Sequence, residues 1–170
     1  MKTILIINCG STSTKCAIYQ DLKSIANVSL KHTRDDLVVF SRLIDQYDYR
    51  KEMIENWVRK QGFNFVDFDL FVSRGALMKP MESGIYEIKE SMLDDLRNET
   101  YASHASNLGL LIAYEWSSIF HKKSIFLNPP STDELSDIAR YTGIKGIVRR
   151  TAFHALKQKT NCFRICTIDS

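Results

Sequence analysis

Ile4-Leu5-Ile6-Ile7-Asn8-Cys9-Gly10-Ser11-Thr12-Ser13-Thr14-Lys15-Cys16-Ala17-Ile18-Tyr19 is the stretch that decides the fold. Two apolar runs flank a hydroxyl-rich turn, which is the signature of a β-hairpin. One glycine and four consecutive hydroxyls bury little and offer many donors. Backbone N–H groups in such a turn form a nest for an anion, phosphate above all, and the side-chain hydroxyls add donors. The turn is not a P-loop, because no second Gly precedes Lys15 and no Ser or Thr follows it. It is not a dinucleotide fingerprint, because a strand follows where that motif needs a helix. The same residues also allow a plain Ser/Thr-rich hairpin turn.

Outward from the hairpin, Ser24 to Lys31 reads as a third strand and completes a meander. Thr33 is positioned to cap a helix from Asp35, with Leu37, Phe40, Ile44 and Tyr47 at helical spacing. A second helix is predicted over Arg50 to Gln61, with Met53, Ile54, Trp57 and Val58 on one face and Gly62 as its stop. Strands are expected at Phe68 to Ser73, Ile85 to Ile88 and Ser124 to Leu127, and helices at Glu90 to Arg97 and Ser106 to Phe120. Ser131 and Glu134 have the spacing of a capping box for a helix over Asp133 to Tyr141. A last helical stretch begins near Arg150. A three-strand meander followed by alternating helices and strands is an α/β fold with a mixed sheet.

The chain has 170 residues, 44% hydrophobic and 25% charged, in the range of an ordinary globular domain. A net charge of +3 is too small to argue for nucleic acid. No apolar run approaches the ~20 residues of a membrane span. The short apolar stretch after Met1-Lys2-Thr3 stops at Asn8 and Gly10, so it reads as a strand and not a signal peptide. Cys9, Cys16, Cys162 and Cys166 follow no zinc-like spacing, so reduced thiols and a cytoplasmic protein are expected.

Several segments together resemble a known family. They are Asn8 to Lys15, Asp45-Gln46, Arg50-Lys51-Glu52, Arg74-Gly75, Leu77 to Pro80, Met92 to Leu96, His104 to Gly109, Asp133-Glu134, Phe153 to Leu156 and Gln158-Lys159. In that order they are similar to the butyrate kinases, in the acetate kinase group of the actin-like ATPase superfamily. The resemblance implies a ribonuclease H-like domain over residues 1–159 and the reaction of butyrate and ATP to give butyryl phosphate and ADP. ATP and Mg²⁺ would be the nucleotide and metal, and a short-chain carboxylate or acyl phosphate the partner. Asn8, Gly10, Ser11, Ser13 and Lys15 would form the phosphate loop, with Asn8 close to the metal. Arg74 would bind the substrate carboxylate and the transferring phosphoryl, and His104 and Asn107 would lie near the acyl substrate. His154 would donate to the transition-state oxygens. Asp45, Asp133 and Glu134 read as structural.

Two departures from the family pattern stand out. The strand ending at Leu127 is followed in the family by a catalytic Asp and then Pro, whereas here it is followed by Asn128 and Pro129. An amide keeps the shape of that carboxylate and loses its charge. Ala76 also stands where a second Gly is usual. Residues 160–170 read as an unrelated tail, and the family's second half, with the adenosine pocket, would be absent. The expectation is a truncated, impaired kinase that forms a homo-oligomer or associates through an exposed interdomain face. The alternative is a non-catalytic remnant that binds an intact kinase chain.

Overall fold

The structure is a computed structural model, and it describes residues 1–151. Six strands form one mixed sheet: β1 (Thr3–Cys9), β2 (Ser13–Gln20), β3 (Lys23–Lys31), β4 (Leu70–Ser73), β5 (Ile85–Glu87) and β6 (Lys123–Leu127). Their order across the sheet is β3-β2-β1-β4-β6-β5. The first three are the antiparallel meander, while β4 and β6 run parallel to β1 and β5 closes the edge antiparallel. The helices are α1 (Arg34–Leu37), α2 (Tyr47–Lys60), α3 (Leu93–Arg97), α4 (Ser106–Ile119) and α5 (Asp137–Arg140).

Strand alternation builds the core. In β1, Thr3, Leu5, Ile7 and Cys9 are buried on one face, while Ile4, Ile6 and Asn8 lie half-buried on the other. Register partners share a face, so Cys16, Ile7, Ser73 and Phe126 form one continuous row across four strands. Helix α4 crosses that row and is buried almost all round from Ser106 to Ala113. Its close approach depends on Gly109, where a Cβ would sit 2.8 Å from Ser73 Oγ. Phe65, Phe68, Phe71 and Trp116 fill the far end, with Phe65 and Trp116 rings 4.5 Å apart.

Three helix expectations need correction. Thr33 does cap α1, through a reciprocal box with Asp36, but the helix stops after one turn. Val38 and Val39 follow and stay exposed, and β-branched pairs lose rotamer freedom in a helix. The Asp45 carboxylate then accepts from both the Arg42 N–H and the Arg42 guanidinium, and the chain restarts as a 3₁₀ turn over Leu43–Gln46. Glu90 to Arg97 divides into a 3₁₀ turn and α3. The box expected at Ser131 and Glu134 does not form. Ser131 Oγ accepts from Met78 N–H at 3.3 Å, and Glu134 accepts from Ser83 N–H at 3.1 Å. Both caps therefore serve the 78–84 loop, and helix forms only at α5. Gly62 ends α2 as expected, at φ +81°.

Candidate active site

The β1–β2 turn is held from behind by every carbonyl it has. Gly10 O accepts from Arg50 Nη1 at 2.8 Å and Ser11 O from Arg50 Nη2 at 3.2 Å. Thr12 O accepts from His32 N–H at 2.9 Å, and Ser13 O from Gly10 N–H at 2.8 Å. A trans peptide points its N–H opposite to its C=O. The N–H groups of Ser11 and Thr12 therefore face away from Arg50, and no group among the described residues accepts from them. This is the nest expected from the sequence.

Strand alternation sorts the side chains around it. Asn8 pairs with Lys15 in register, and Cys9 pairs with Thr14. Cys9, Thr14 and Cys16 point into the core, whereas Lys15 is exposed and Asn8 half-buried. Both cysteines are free thiols, and burial pushes Cys9 up to about 11 and Cys16 higher still. Neither is a nucleophile near neutral pH.

Arg74 follows β4 directly, and its N–H still bonds Ile7 O of β1 at 3.2 Å. Gly75 adopts φ +105°, and a Cβ there would lie 2.7 Å from Pro129 Cα. The turn after β6 thus packs directly against the turn after β4, and the C-terminal ends of β1, β4 and β6 converge. In an open α/β sheet that is where ligands bind.

A cleft of about 260 Å³ lies at this convergence, lined by Asn8 to Ser13, Lys15, Arg74, Gly75, His104, Ser106 and Pro130. Its charged lining is Lys15 and Arg74, with no carboxylate. Ser106 N–H donates to His104 Nδ1 at 3.2 Å, so in the neutral ring the proton sits on Nε2. The start of α4 adds the positive end of a helix dipole. The arrangement can bind a multiply charged oxyanion and hold a second, smaller anion beside it.

Seven residues singled out in the sequence meet here: Asn8, Gly10, Ser11, Ser13, Lys15, Arg74 and His104. Asn107 stands behind them, 1% exposed. Its Oδ1 accepts from Leu77 N–H at 3.3 Å, and its Nδ2 donates to Ala102 O at 2.9 Å. It clasps the 77 loop to the turn before α4. Asn128 adopts φ +39°, and its Oδ1 accepts from Gly84 N–H at 2.9 Å, so it fixes the turn after β6 and is outside the lining. His154, Cys162 and Cys166 lie outside the described residues. Asp45 caps its own turn, and Asp133 pairs with Arg140 at 2.8 Å, which holds its carboxyl at about 2.

Among the described residues no group of three His, Cys, Asp or Glu is placed to hold a metal, and the cleft offers Mg²⁺ only neutral oxygens. The donor set fits an anion and does not by itself fit Mg²⁺, which favours one or two carboxylates. The phosphates of a nucleotide fit the cleft, but a whole nucleotide does not, since enclosing sites run to ~300–1,000 Å³. No helix among the described residues is long and apolar enough to cross a membrane.

Sequence reasoning missed the role of Arg50. It stands in the Arg50-Lys51-Glu52 segment of the family resemblance and at a predicted helix start, with no role assigned, and it is fully buried beneath the turn. A gap of 36 residues separates it from Thr14, which it bonds at 3.1 Å, so no local pattern could reveal the contact.

No protein-family model matches the chain. The chain is 40% identical over 159 residues to a probable butyrate kinase from Enterococcus faecalis, covering 94% of this chain and 44% of that protein. It therefore spans less than half the length of that curated relative. The acetate kinase of Porphyromonas gingivalis superposes with a TM-score of 0.61 at 12% identity, covering 99% of this chain and 49% of that one. The acetate kinase of Entamoeba histolytica gives 0.58 at 12% identity, over 98% and 46%. In sequence, then, this chain is similar to a butyrate kinase along nearly all of its length, and its fold is that seen in the acetate kinases.

Proposed function

We propose that this chain carries the phosphoryl- and carboxylate-binding side of a butyrate kinase-type phosphotransferase. The observation that carries the proposal is the convergence of the Ser11–Thr12 nest, Lys15, Arg74 and His104 on one small cleft. In the reaction a carboxylate oxygen of butyrate attacks the γ-phosphorus of ATP. The bond from that phosphorus to the β-bridging oxygen breaks, and ADP leaves with the electron pair. No proton has to move, so the protein's task is positioning and neutralisation of charge.

Each residue has a part in that task. The nest and the hydroxyls of Ser11 and Ser13 hold phosphoryl oxygens, and Lys15 supplies a point charge. Arg74, exposed and without a carboxylate partner in the described structure, can bridge carboxylate and phosphoryl with its planar fork. His104 donates from Nε2. Asn8 offers a neutral side-chain amide to the same oxygens. Asn107 acts through the walls it ties together, and His154 is kept as a donor on the grounds of family resemblance alone. Mg²⁺ would screen phosphate charge when bound, but the described residues lack the carboxylate to hold it. Asn128 stands where the family resemblance implies that carboxylate, and we assign the chain weaker transfer for that reason.

Formation of acyl hydroxamate from butyrate, MgATP and hydroxylamine tests the reading. Turnover that falls at least tenfold in Arg74→Gln is expected. Turnover indifferent to Arg74 would remove the cleft from the chemistry.

A further inference from the structure

Arg50 is 0% exposed, and its five N–H groups make five hydrogen bonds to four acceptor atoms. Two bonds go to Gln46 Oε1, at 3.0 and 2.9 Å, and the others to Gly10 O, Thr14 Oγ1 and Ser11 O. All four acceptor atoms are neutral. Among the described residues no carboxylate lies within ion-pair reach of Arg50. Hydrogen bonding is complete, yet the charge is uncompensated. Buried charges are ordinarily paired, because an unpaired one is costly.

We infer that Arg50 is a positioning residue for anion binding: its guanidinium turns the Gly10 and Ser11 carbonyls inward, aims the Ser11 and Thr12 N–H groups into the cleft, and leaves its positive charge to be balanced by the bound phosphate. The inference rests on the phosphate reading of the cleft and supplies the part that the cleft's own lining does not show. Each peptide pulled toward Arg50 presents its N–H on the other side. The guanidinium thereby acts through two peptide dipoles, as well as through space.

The surroundings keep that charge in place. Thr14 Oγ1 accepts from Arg50, lies 2.8 Å from His32 Nε2 and lies 3.9 Å from Cys9 Sγ, so all three groups share one buried hydroxyl. His32 Nδ1 lies 3.3 Å from Tyr49 Oη on the other side of the ring. The groups facing Arg50 are thus Gln46, Thr14, His32, Tyr49 and Cys9, none of them anionic at neutral pH. Burial together with the charge of Arg50 holds His32 down at about 4, so it stays neutral and adds no second cation. A purely architectural arginine could be paired with a carboxylate at no loss. Gln46 occupies the place where one would sit.

Two variants of the full 170-residue chain separate the roles, with inorganic phosphate as the probe and backbone amide NMR as the readout. Gln46→Glu is isosteric, accepts the same two bonds and neutralises the charge. The fold should hold or gain stability, while the phosphate dissociation constant rises about fivefold or more. Arg50→Lys keeps the charge and loses the fork. In the phosphate-free protein, the Ser11 and Thr12 amides should lose their ordered relaxation, and affinity should fall about tenfold. An unchanged phosphate affinity in folded Gln46→Glu would overturn the charge role. Unchanged Ser11 and Thr12 order in Arg50→Lys would overturn the positioning role. If the wild-type chain itself shows no phosphate shift, the anion reading of the cleft fails. That failure is recognisable because it precedes any variant.

Discussion

Replacing Gly75 by alanine tests how the cleft is assembled. Gly75 adopts φ +105°, a backbone conformation that side chains with a Cβ rarely take, at a cost of about 1–3 kcal/mol. The added Cβ would also lie 2.7 Å from Pro129 Cα, 3.0 Å from Pro129 Cβ and 3.2 Å from Leu127 O. Two of these three atoms are backbone, so no flexible side chain can swing away, and overpacking of that kind costs about 1–3 kcal/mol more. The sum, about 2–6 kcal/mol, is a large share of a typical domain's ~5–15 kcal/mol. At ~2–4 °C per kcal/mol, Tm should fall by roughly 4–24 °C. Gly62→Ala is the internal control. It has φ +81° with nothing within 4 Å, so it carries the backbone penalty alone, about 1–2 kcal/mol. Calorimetry on the two variants is the assay. Melting of Gly75→Ala within about 3 °C of Gly62→Ala would show that the β4 and β6 turns do not meet as described.

Asn128→Asp keeps the acceptor for Gly84 N–H and tolerates φ +39°, so urea unfolding should shift by less than about 1 kcal/mol. Asn128→Ala loses that bond and strains the backbone, and should cost about 2 kcal/mol. If the aspartate variant also raises hydroxamate formation, the carboxylate belongs in the chemistry, and if it does not, that assignment fails. Arg74→Gln should leave Tm within about 2 °C while weakening phosphate about tenfold, since Arg74 is exposed and charge-assisted bonds are strong. A destabilised variant would mean that Arg74 is structural. His32 is held at about 4, below its ordinary 6.5, first by burial and then by Arg50. The unfolded chain therefore takes up a proton before the folded one does. The contribution is complete above about pH 6.5 and is lost as pH falls toward 4. The imidazole carbon shifts of His32 should stay those of a neutral ring at pH 5.5, and titration near 6.5 would contradict the buried network.

Much of this was legible because local chemistry and fold agree. The hairpin at residues 4–19 carried both the strand alternation and the hydroxyl turn, so it announced the sheet and the nest together. Gly62 and the α4 pattern were read for similar reasons, a left-handed stop and a long apolar helix. The α1 and Ser131 expectations failed where tertiary contacts outweighed local signals. Ser131 and Glu134 have the right spacing for a cap, but the 78–84 loop takes both side chains. Among the site residues, Arg74 and His104 were readable from motif context. Asn107 proved to be a clasp whose two partners lie in separate loops. The role of Arg50 was invisible, because the Gly10 and Ser11 carbonyls that it holds lie some 40 residues away in sequence.

The central claim is that the cleft between the Asn8–Lys15 turn and Arg74 receives a phosphoryl group with a short acyl chain beside it. Crystals of the chain soaked with butyryl phosphate test it most directly. Density for the phosphoryl against the Ser11 and Thr12 N–H groups, with the acyl carbonyl facing Arg74 and His104, is the expected result. Well-occupied density anywhere else, with this cleft holding only solvent, would contradict the account.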